Sequence, residues 1–407
     1  MRLRIMAVAG LAALAIVAGG CWDHSPIEET AFVMMLGVDL DPADPDQWVV
    51  TQMIALPAHL SAQASGSGVG PSSGTPFYLI SSRAASLQLA LSAIGRQVPR
   101  QTRLDHMRVI VVGEEVARSG AGPVFAWALR HPQVRPGTVV VVSEGPAQQF
   151  MDSQPVLDPL PGSAVIGIIR HVQRIDVAYQ AHVYQLVQWV LSPRRDAAAP
   201  LVRRINPLTA RVPAGFEQQP AAGQPPSAPG ETLPNEIEII GMAVFNGDRL
   251  VGAVQGPDAR GVSWIRGGSQ GFISVPYPAD PDRTVTVSIL HTRSSLDAEP
   301  GDDSLRLVIR VEGEGSIYEA GALTPLSDDP YWPQLEQAVA DAIAQEIRRT
   351  VSRLQQLRAD IFGFAEHLYR RSPDAWRRVA DRWDDLYAQA EVEVDVRMRL
   401  SRTGLAR

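Results

Sequence analysis

Two short runs constrain the fold before anything else is read: Arg108-Val109-Ile110-Val111-Val112-Gly113 and Thr138 to Val142, the latter almost entirely valine. Apolar, β-branched and uninterrupted, each has no polar side to turn to water and reads as a buried strand. A helix begins at Glu114 between them, and strand, helix, strand in that order predicts a βαβ unit and an α/β element in the first part of the chain. Upstream, Ala31 to Leu40 and Trp48 to Leu56 flank Asp41-Pro42-Ala43-Asp44-Pro45-Asp46, which predicts a hairpin with a polar loop. After a Gly/Ser/Pro stretch from Ser61 to Pro76, a helix is expected with Ser81 or Ser82 as its cap and Leu87, Leu91, Ile94 and Val98 on one face. Leu160 to Leu191 is expected to be helical in its later part, with Val183, Leu186, Val187 and Val190 at helical spacing.

From Pro213 to Pro234 the composition turns to Pro, Gly, Ala and Gln, which cannot bury a core and predicts a linker or long loop. Beyond it, Glu236 to Phe245 and Arg249 to Val254 flank Asn246-Gly247-Asp248, a hairpin signal. Thr284 to Leu290 and Leu305 to Glu312 read as further strands. Pro333 to Leu357 reads as a long helix with a core stripe of Leu335, Val339, Ile343, Ile347, Val351 and Leu354. Ser372-Pro373-Asp374 is a helix start, and Glu391 to Leu400 alternates strictly between charged and apolar residues, as a half-buried strand does. The expected class is therefore α+β: a multi-domain mixed α/β body of two to three subdomains. It carries an N-terminal β-hairpin and βαβ unit, and a C-terminal antiparallel sheet with a long helix. The expected division is residues 1–20 as a signal peptide, 21–212 as an N-terminal α/β region, 213–234 as linker or loop, and 235–404 as a C-terminal α+β domain.

Met1 to Gly20 opens with Arg2 and Arg4, continues with an apolar run from Ile5 to Val17, and closes on Ala18-Gly19-Gly20. That is the layout of an export signal, and its apolar run is shorter than the roughly 18 residues a spanning helix needs. Cys21 follows at once and is the single cysteine of the chain. A thiol placed there is what lipoprotein maturation requires, with lipid on the sulfur and the chain cut just before it. Ala18 departs from the bulky aliphatic usual three residues before such a cysteine, and a retained anchor or plain secretion are the other readings of the segment. Each buried methylene contributes about 0.8 kcal/mol, so two acyl chains of palmitate type hold a protein stably where one is marginal.

With 45% hydrophobic and 20% charged residues the body is globular, and a net charge of -7 argues against a broad nucleic-acid surface. All 37 strongly basic residues are arginine. One cysteine permits neither an internal disulfide nor a thiolate metal cage. Asp39, Asp41, Asp44 and Asp46 lack EF-hand spacing and read as a solvated loop. Gly66-Ser67-Gly68-Val69-Gly70 has no lysine after it, as a phosphate loop would. His171 and His182 are too far apart for a zinc pair on one helix and read as surface residues. Glu114-Glu115 suits a helix start and Asp384-Asp385 reads as surface charge near a helix end. No Gly-x-Ser-x-Gly elbow occurs, so the sequence carries no catalytic signature, no cofactor motif and no metal motif, and no enzyme is expected.

Cys21-Trp22-Asp23, Ile27-Glu28, Ala31-Phe32-Val33, Gly37-Val38-Asp39 and Val50-Thr51-Gln52 resemble the start of the Ger(x)C family, the lipoprotein C subunits of spore germinant receptors. His106 to Ala117 resembles its strand-to-helix block. Asp360-Ile361-Phe362-Gly363-Phe364, Ser372-Pro373 with Trp376, Trp383-Asp384, the alternating strand and Arg402-Thr403-Gly404 resemble its carboxyl end. The departures are Ala18, the Pro-rich stretch near residue 225, and Ala365 where glycine is common; none of these is expected to touch the core. The resemblance implies a non-catalytic, lipid-anchored subunit beside two integral membrane partners, A and B, on the outer face of the cell membrane, which becomes the inner membrane of the spore, in a complex that answers a nutrient. It transfers a chemical role to Cys21 alone; Trp22 and Asp23 mark the family without one. The other reading of a lipid-held two-part body is a transporter's solute-binding protein whose lobes close across the Pro-rich segment.

Overall fold

The computed structural model describes residues 26–57, 75–158, 160–175, 178–205, 236–268, 270–320 and 330–401. Its first strands, β1 (Thr30–Asp41) and β2 (Asp44–Ala55), form the expected hairpin, and the carboxylates of Asp41 and Asp44 accept hydrogen bonds from the amides of Ala43 and Asp46 in the turn. β3 (Phe77–Ala84) extends the sheet beyond β2, and the hydroxyls of Thr51 and Ser81 share a 2.8 Å hydrogen bond across the pair. Ser81 and Ser82 are thus strand residues and not helix caps. The helix starts later, at α1 (Leu87–Gly95), where Ser86 accepts from the Leu89 amide. β4 (Gln101–Arg103) lies beside the start of β1.

The two valine-rich runs are β5 (Val109–Gly113) and β6 (Val139–Ser143), parallel to each other and linked by α2 (Glu114–Ser119) and α3 (Gly122–Arg130), which is the predicted βαβ unit. β1 pairs in parallel with β5 on the other side. α4 (Ala147–Met151), α5 (Pro161–Ile175) and α6 (Val183–Val190) follow, and then β7 (Ala198–Ile205), parallel to β6. Why the central strands are apolar throughout is now visible, because side chains alternate across a strand and both faces are covered. Ile110, Val112, Val140 and Val142 pack with α1, α2, α3 and α6. Val109, Val111, Val139 and Val141 point the other way, into a core shared with α4, α5 and the carboxyl-terminal half of the chain.

β8 (Glu236–Asn246) and β9 (Arg249–Gln255) form a hairpin that completes this first sheet: β8 pairs antiparallel with β7. The spatial order is β3-β2-β1-β5-β6-β7-β8-β9, with β4 beside β1. The turn residues are Gly247 and Asp248, and Gly247 takes the positive φ of 57° that a two-residue loop with glycine in first position requires. The Pro-rich stretch at 213–234 lies outside the described residues, but the strands on either side of it are immediate neighbours in one sheet.

After α7 (Pro257–Arg266) comes a second sheet: β10 (Gly271–Tyr277), β11 (Asp280–Pro300) and β12 (Leu305–Glu319) run antiparallel. The chain then traverses α8 (Trp332–Gln356), α9 (Phe364–Arg371), α10 (Pro373–Val379) and α11 (Trp383–Gln389) before returning as β13 (Glu391–Ser401). Because that long crossover carries the chain back to the same end of the sheet, β13 joins β12 in parallel. The stripe on α8 is buried along its whole length, against Val285, Val287, Ile289, Leu307, Ile309 and Val311 of the sheet. The strict alternation of β13 sets Met398 and Leu400 into that core, while Glu393 reaches Arg306 at 3.0 Å outside it. Ser372 accepts from the Ala375 amide and Pro373 opens α10, as the sequence predicts.

Candidate functional site

The residue with a predicted chemical role, Cys21, lies outside the described residues, as do Trp22, Asp23, the signal segment and Gly66 to Gly70. The four aspartates of the first hairpin are brought to different tasks. Asp39 leaves the hairpin loop altogether: it is buried, and its carboxylate accepts from the amides of Ala147 (2.7 Å) and Gln148 (3.0 Å) at the start of α4. Burial pushes its carboxyl up, and the two amides pull the other way. Asp41 pairs with Arg83 at 2.9 Å. Glu114 accepts from Gly145 (3.1 Å) and pairs with Arg118, whose hydrogen bond holds its carboxyl below the usual range. Open α/β sheets hold ligands at the carboxyl ends of their parallel strands. Here Asp39 and Glu114 occupy the backbone donors at that end. Among the described residues no group of three or more His, Cys, Asp or Glu is arranged to hold a metal. His171 is exposed on α5, and His182 stands half-buried at the head of α6.

The densest polar construction of the fold involves residues to which the sequence reading assigned no chemistry. α8 ends near Gln356, the chain turns through Arg358 in the left-handed region (φ 52°), and Asp360 is reached, 3% exposed. Its carboxylate accepts from three successive amides, Gly363 (2.8 Å), Phe364 (3.0 Å) and Ala365 (2.9 Å), which are the free donors at the amino end of α9. Gly363 has φ 76°, and a Cβ there would lie 3.3 Å from Cδ of Arg195. Ala365 is fully buried, so this departure does touch the core.

Facing this turn is the loop between α6 and β7. The amide of Asp360 donates to Oδ2 of Asp196 (2.7 Å), and the amide of Asp196 donates back to the Asp360 carbonyl (3.0 Å). Arg195 donates from Nε to the Ile361 carbonyl (3.1 Å) and lies over the ring of Trp189. Arg194 donates to Glu366 (2.8 Å) and lies over Tyr369. Burial pushes Asp196 up to about 7, helped by the negative charges of Asp360 and Asp384, and pushes Asp360 up to about 6. Asp360 is the more acidic of the two because three amides and Arg195 favour its anion. Around them lies a cavity of about 480 Å³ whose walls include Asn246, Arg358, Trp383 and Asp384. Asp384 and Asp385 sit in the first turn of α11, where carboxylates suit the helix dipole, and Asp385 pairs with Arg358. The charged side chains of the cluster are engaged with one another and with backbone groups across the two segments. Its chemistry is that of a joint, closing the carboxyl-terminal helices onto the first sheet.

Residues 23–204 match the family described as the spore germination protein N-terminal domain, and residues 240–404 match the spore germination B3/GerAC-like C-terminal family. The chain belongs to the Ger(x)C family. Similar proteins of Bacillus subtilis (strain 168) include the putative spore germination protein YfkR, 23% identical over 94% of this chain and 92% of that one. Spore germination protein KC is 24% identical over 96% and 93%, and spore germination protein B3 is 20% identical over 95% and 94%. The crystal structure of the GerBC protein has the same fold, with a TM-score of 0.53 over 90% of this chain and 96% of that one at 14% identity. The Ger(x)C motif Asp360 to Phe364 thus coincides with the joint. Its signal in the sequence is an acid three residues before a glycine that opens an amphipathic helix; Asp196, 164 residues away, has no local signal.

Proposed function

We propose that this chain is a non-catalytic lipoprotein subunit of a nutrient germinant receptor, held by lipid on Cys21 at the outer face of the membrane that becomes the spore inner membrane. Integral membrane A and B subunits would be its partners. The observation that carries this reading is coverage: the relatives named for spore germination align over more than 90% of their length and of this chain, so the whole architecture is shared rather than one module. The absence among the described residues of a helix long and apolar enough to cross a membrane is compatible with an anchor supplied by Cys21.

The division into an amino-terminal region, a Pro-rich connection at 213–234 and a carboxyl-terminal region belongs to the same proposal, with one refinement. β8 and β9 follow the connection but complete the first sheet, so the connection lies between neighbouring strands. That favours the receptor subunit over a solute-binding protein, whose lobes would need a hinge there. The test is Cys21→Ala in a spore-forming host. Release of the protein from the membrane fraction and loss of nutrient-triggered germination are expected, with non-nutrient germination unchanged. Full membrane retention with normal nutrient response would overturn the proposal.

A further inference from the structure

At the opposite end of β5 and β6 from Asp39 and Glu114, the amino ends of the strands border a cavity of about 390 Å³. Arg108 precedes β5, Arg135 and Thr138 precede β6, and Arg170 lies on α5, with His106 and His182 also lining the cavity. Arg170 also borders a second cavity of about 670 Å³, where His171, Tyr179 and Arg266 meet. The two cavities therefore share Arg170 as a lining residue, and the smaller one is a cleft at the amino ends of β5 and β6. No aspartate or glutamate lines either cavity among the described residues, in a chain whose net charge is -7. None of Arg108, Arg135, Arg170 and Arg266 makes an ion pair among the described residues, whereas Arg118, Arg194 and Arg203 each have a carboxylate within 2.8 Å. Arg266 instead lies over the ring of Tyr179, 3.8 Å from its centroid.

A second observation points into the same place. Thr138 is 3% exposed and lines the smaller cavity, yet its hydroxyl has no hydrogen-bond partner among the described residues. A buried hydroxyl left unsatisfied carries the cost of its lost hydration, so a group that accepts its hydrogen is favoured there. Guanidinium groups without carboxylate partners offer planar, permanently charged forks that match the oxygens of a phosphate.

We propose that this cleft binds a phosphate-bearing anion, with Arg108, Arg135, Arg170 and the Thr138 hydroxyl holding its oxygens. The phosphate belongs either to an anionic lipid headgroup or to a soluble phosphate ester. A headgroup is within reach if Cys21 is lipidated as proposed above. Met34, at the cleft, is four residues into β1 from Thr30, and the nine residues from Cys21 to Thr30 span at most about 30 Å.

The experiment uses the full mature chain with Cys21→Ser, so that no acyl chain contributes and failure of the anchor reading does not enter. Binding of inorganic phosphate and of glycerol phosphate is measured by calorimetry. Flotation with phosphatidylcholine vesicles is compared with flotation on vesicles containing phosphatidylglycerol. Saturable binding in at least one arm is expected, weakened about tenfold or more by Arg108→Gln with Arg170→Gln. Arg377→Gln on α10, which removes one positive charge as each of those two substitutions does, should leave it intact. Thr138→Val should weaken binding and Thr138→Ser should restore it, which separates loss of the hydroxyl from loss of the fold. Binding to anionic vesicles that glycerol phosphate competes away assigns the headgroup; binding of glycerol phosphate without flotation assigns a soluble ester. No binding in either arm, or equal loss with Arg377→Gln, overturns the proposal.

Discussion

Asp196→Asn probes the joint most directly. In the folded chain the Asp196 carboxyl sits at about 7, against 3.8 for the free group, because burial and the neighbouring charges of Asp360 and Asp384 oppose its ionisation. At about 1.4 kcal/mol per tenfold change, ionising it in place costs roughly 4 kcal/mol more than in the unfolded chain. Between about pH 4 and pH 7 the folded protein keeps a proton that the unfolded chain has released. Stability therefore falls as pH rises through that window and levels off above it. Asp360, pushed up to about 6, acts in the same direction over the lower part of the range. Asparagine keeps an oxygen to accept the Asp360 amide but has no proton to lose. Between pH 5 and pH 8 the variant should gain roughly 2–3 kcal/mol on the wild type. Urea unfolding of both proteins at the two pH values, each in the Cys21→Ser background and followed by tryptophan fluorescence, measures this difference. A constant offset between the two proteins at both pH values would refute the reasoning, since the half-buried carboxyl would then carry no ionisation cost.

Asp360→Ala leaves three amide donors of α9 buried without an acceptor and should destabilise the chain by about 3–5 kcal/mol, with Asp360→Asn costing less; an unchanged urea midpoint for the alanine variant would contradict the role given to the carboxylate. Glu346 is 6% exposed on the inner side of α8, accepts from Nε1 of Trp264 at 2.7 Å and pairs with Arg260 at 3.2 Å. Glu346→Ala should likewise cost about 3–5 kcal/mol and alter the near-ultraviolet circular dichroism of Trp264, and a spectrum and midpoint like those of the wild type would count against that contact.

What could be read in the sequence was what local pattern determines. Uninterrupted valines gave β5 and β6, strict alternation gave β13, and the apolar stripe gave α8, because in each case burial leaves a period that survives without knowledge of the partner. β11 shows the limit. Its apolar stretch ends near Leu290, yet the strand continues to Pro300, held by pairing with β12 through polar residues such as Thr292, Ser294 and Ser295. Ser86 was missed as the cap of α1 because Ser81 and Ser82 offer the same chemistry, and only cross-strand pairing with β2 removes them from the choice. The turn at Gly247 announced a hairpin but not the sheet it would join. The joint was illegible for a related reason: Asp196 and Asp360 have no common period or motif, and burial of a carboxylate is decided entirely by what the fold brings to it.

The placement of β8 and β9 bears on how such a subunit could act. A binding protein that closes on its ligand needs two lobes joined by a few residues that absorb the motion. In this chain the strands on either side of the Pro-rich segment are hydrogen-bonded neighbours from Ala198 opposite Val244 to Ile205 opposite Glu236. The carboxyl-terminal helices are tied back to the first sheet through Asp196 and Asp360, through Arg194 and Glu366, and through Arg353, which donates to the Ala253 carbonyl on β9. One apolar core runs without interruption from Val109 and Val139 of the first sheet to Ile309 and Val311 of the second. Opening the two halves would break partly buried hydrogen bonds and expose that core together, so the physical expectation is a body that moves as a unit. If the chain is the lipid-held subunit proposed above, a rigid body is sufficient: its surfaces would keep a fixed relation to membrane partners, and the cleft at the amino ends of β5 and β6 would be presented in one orientation.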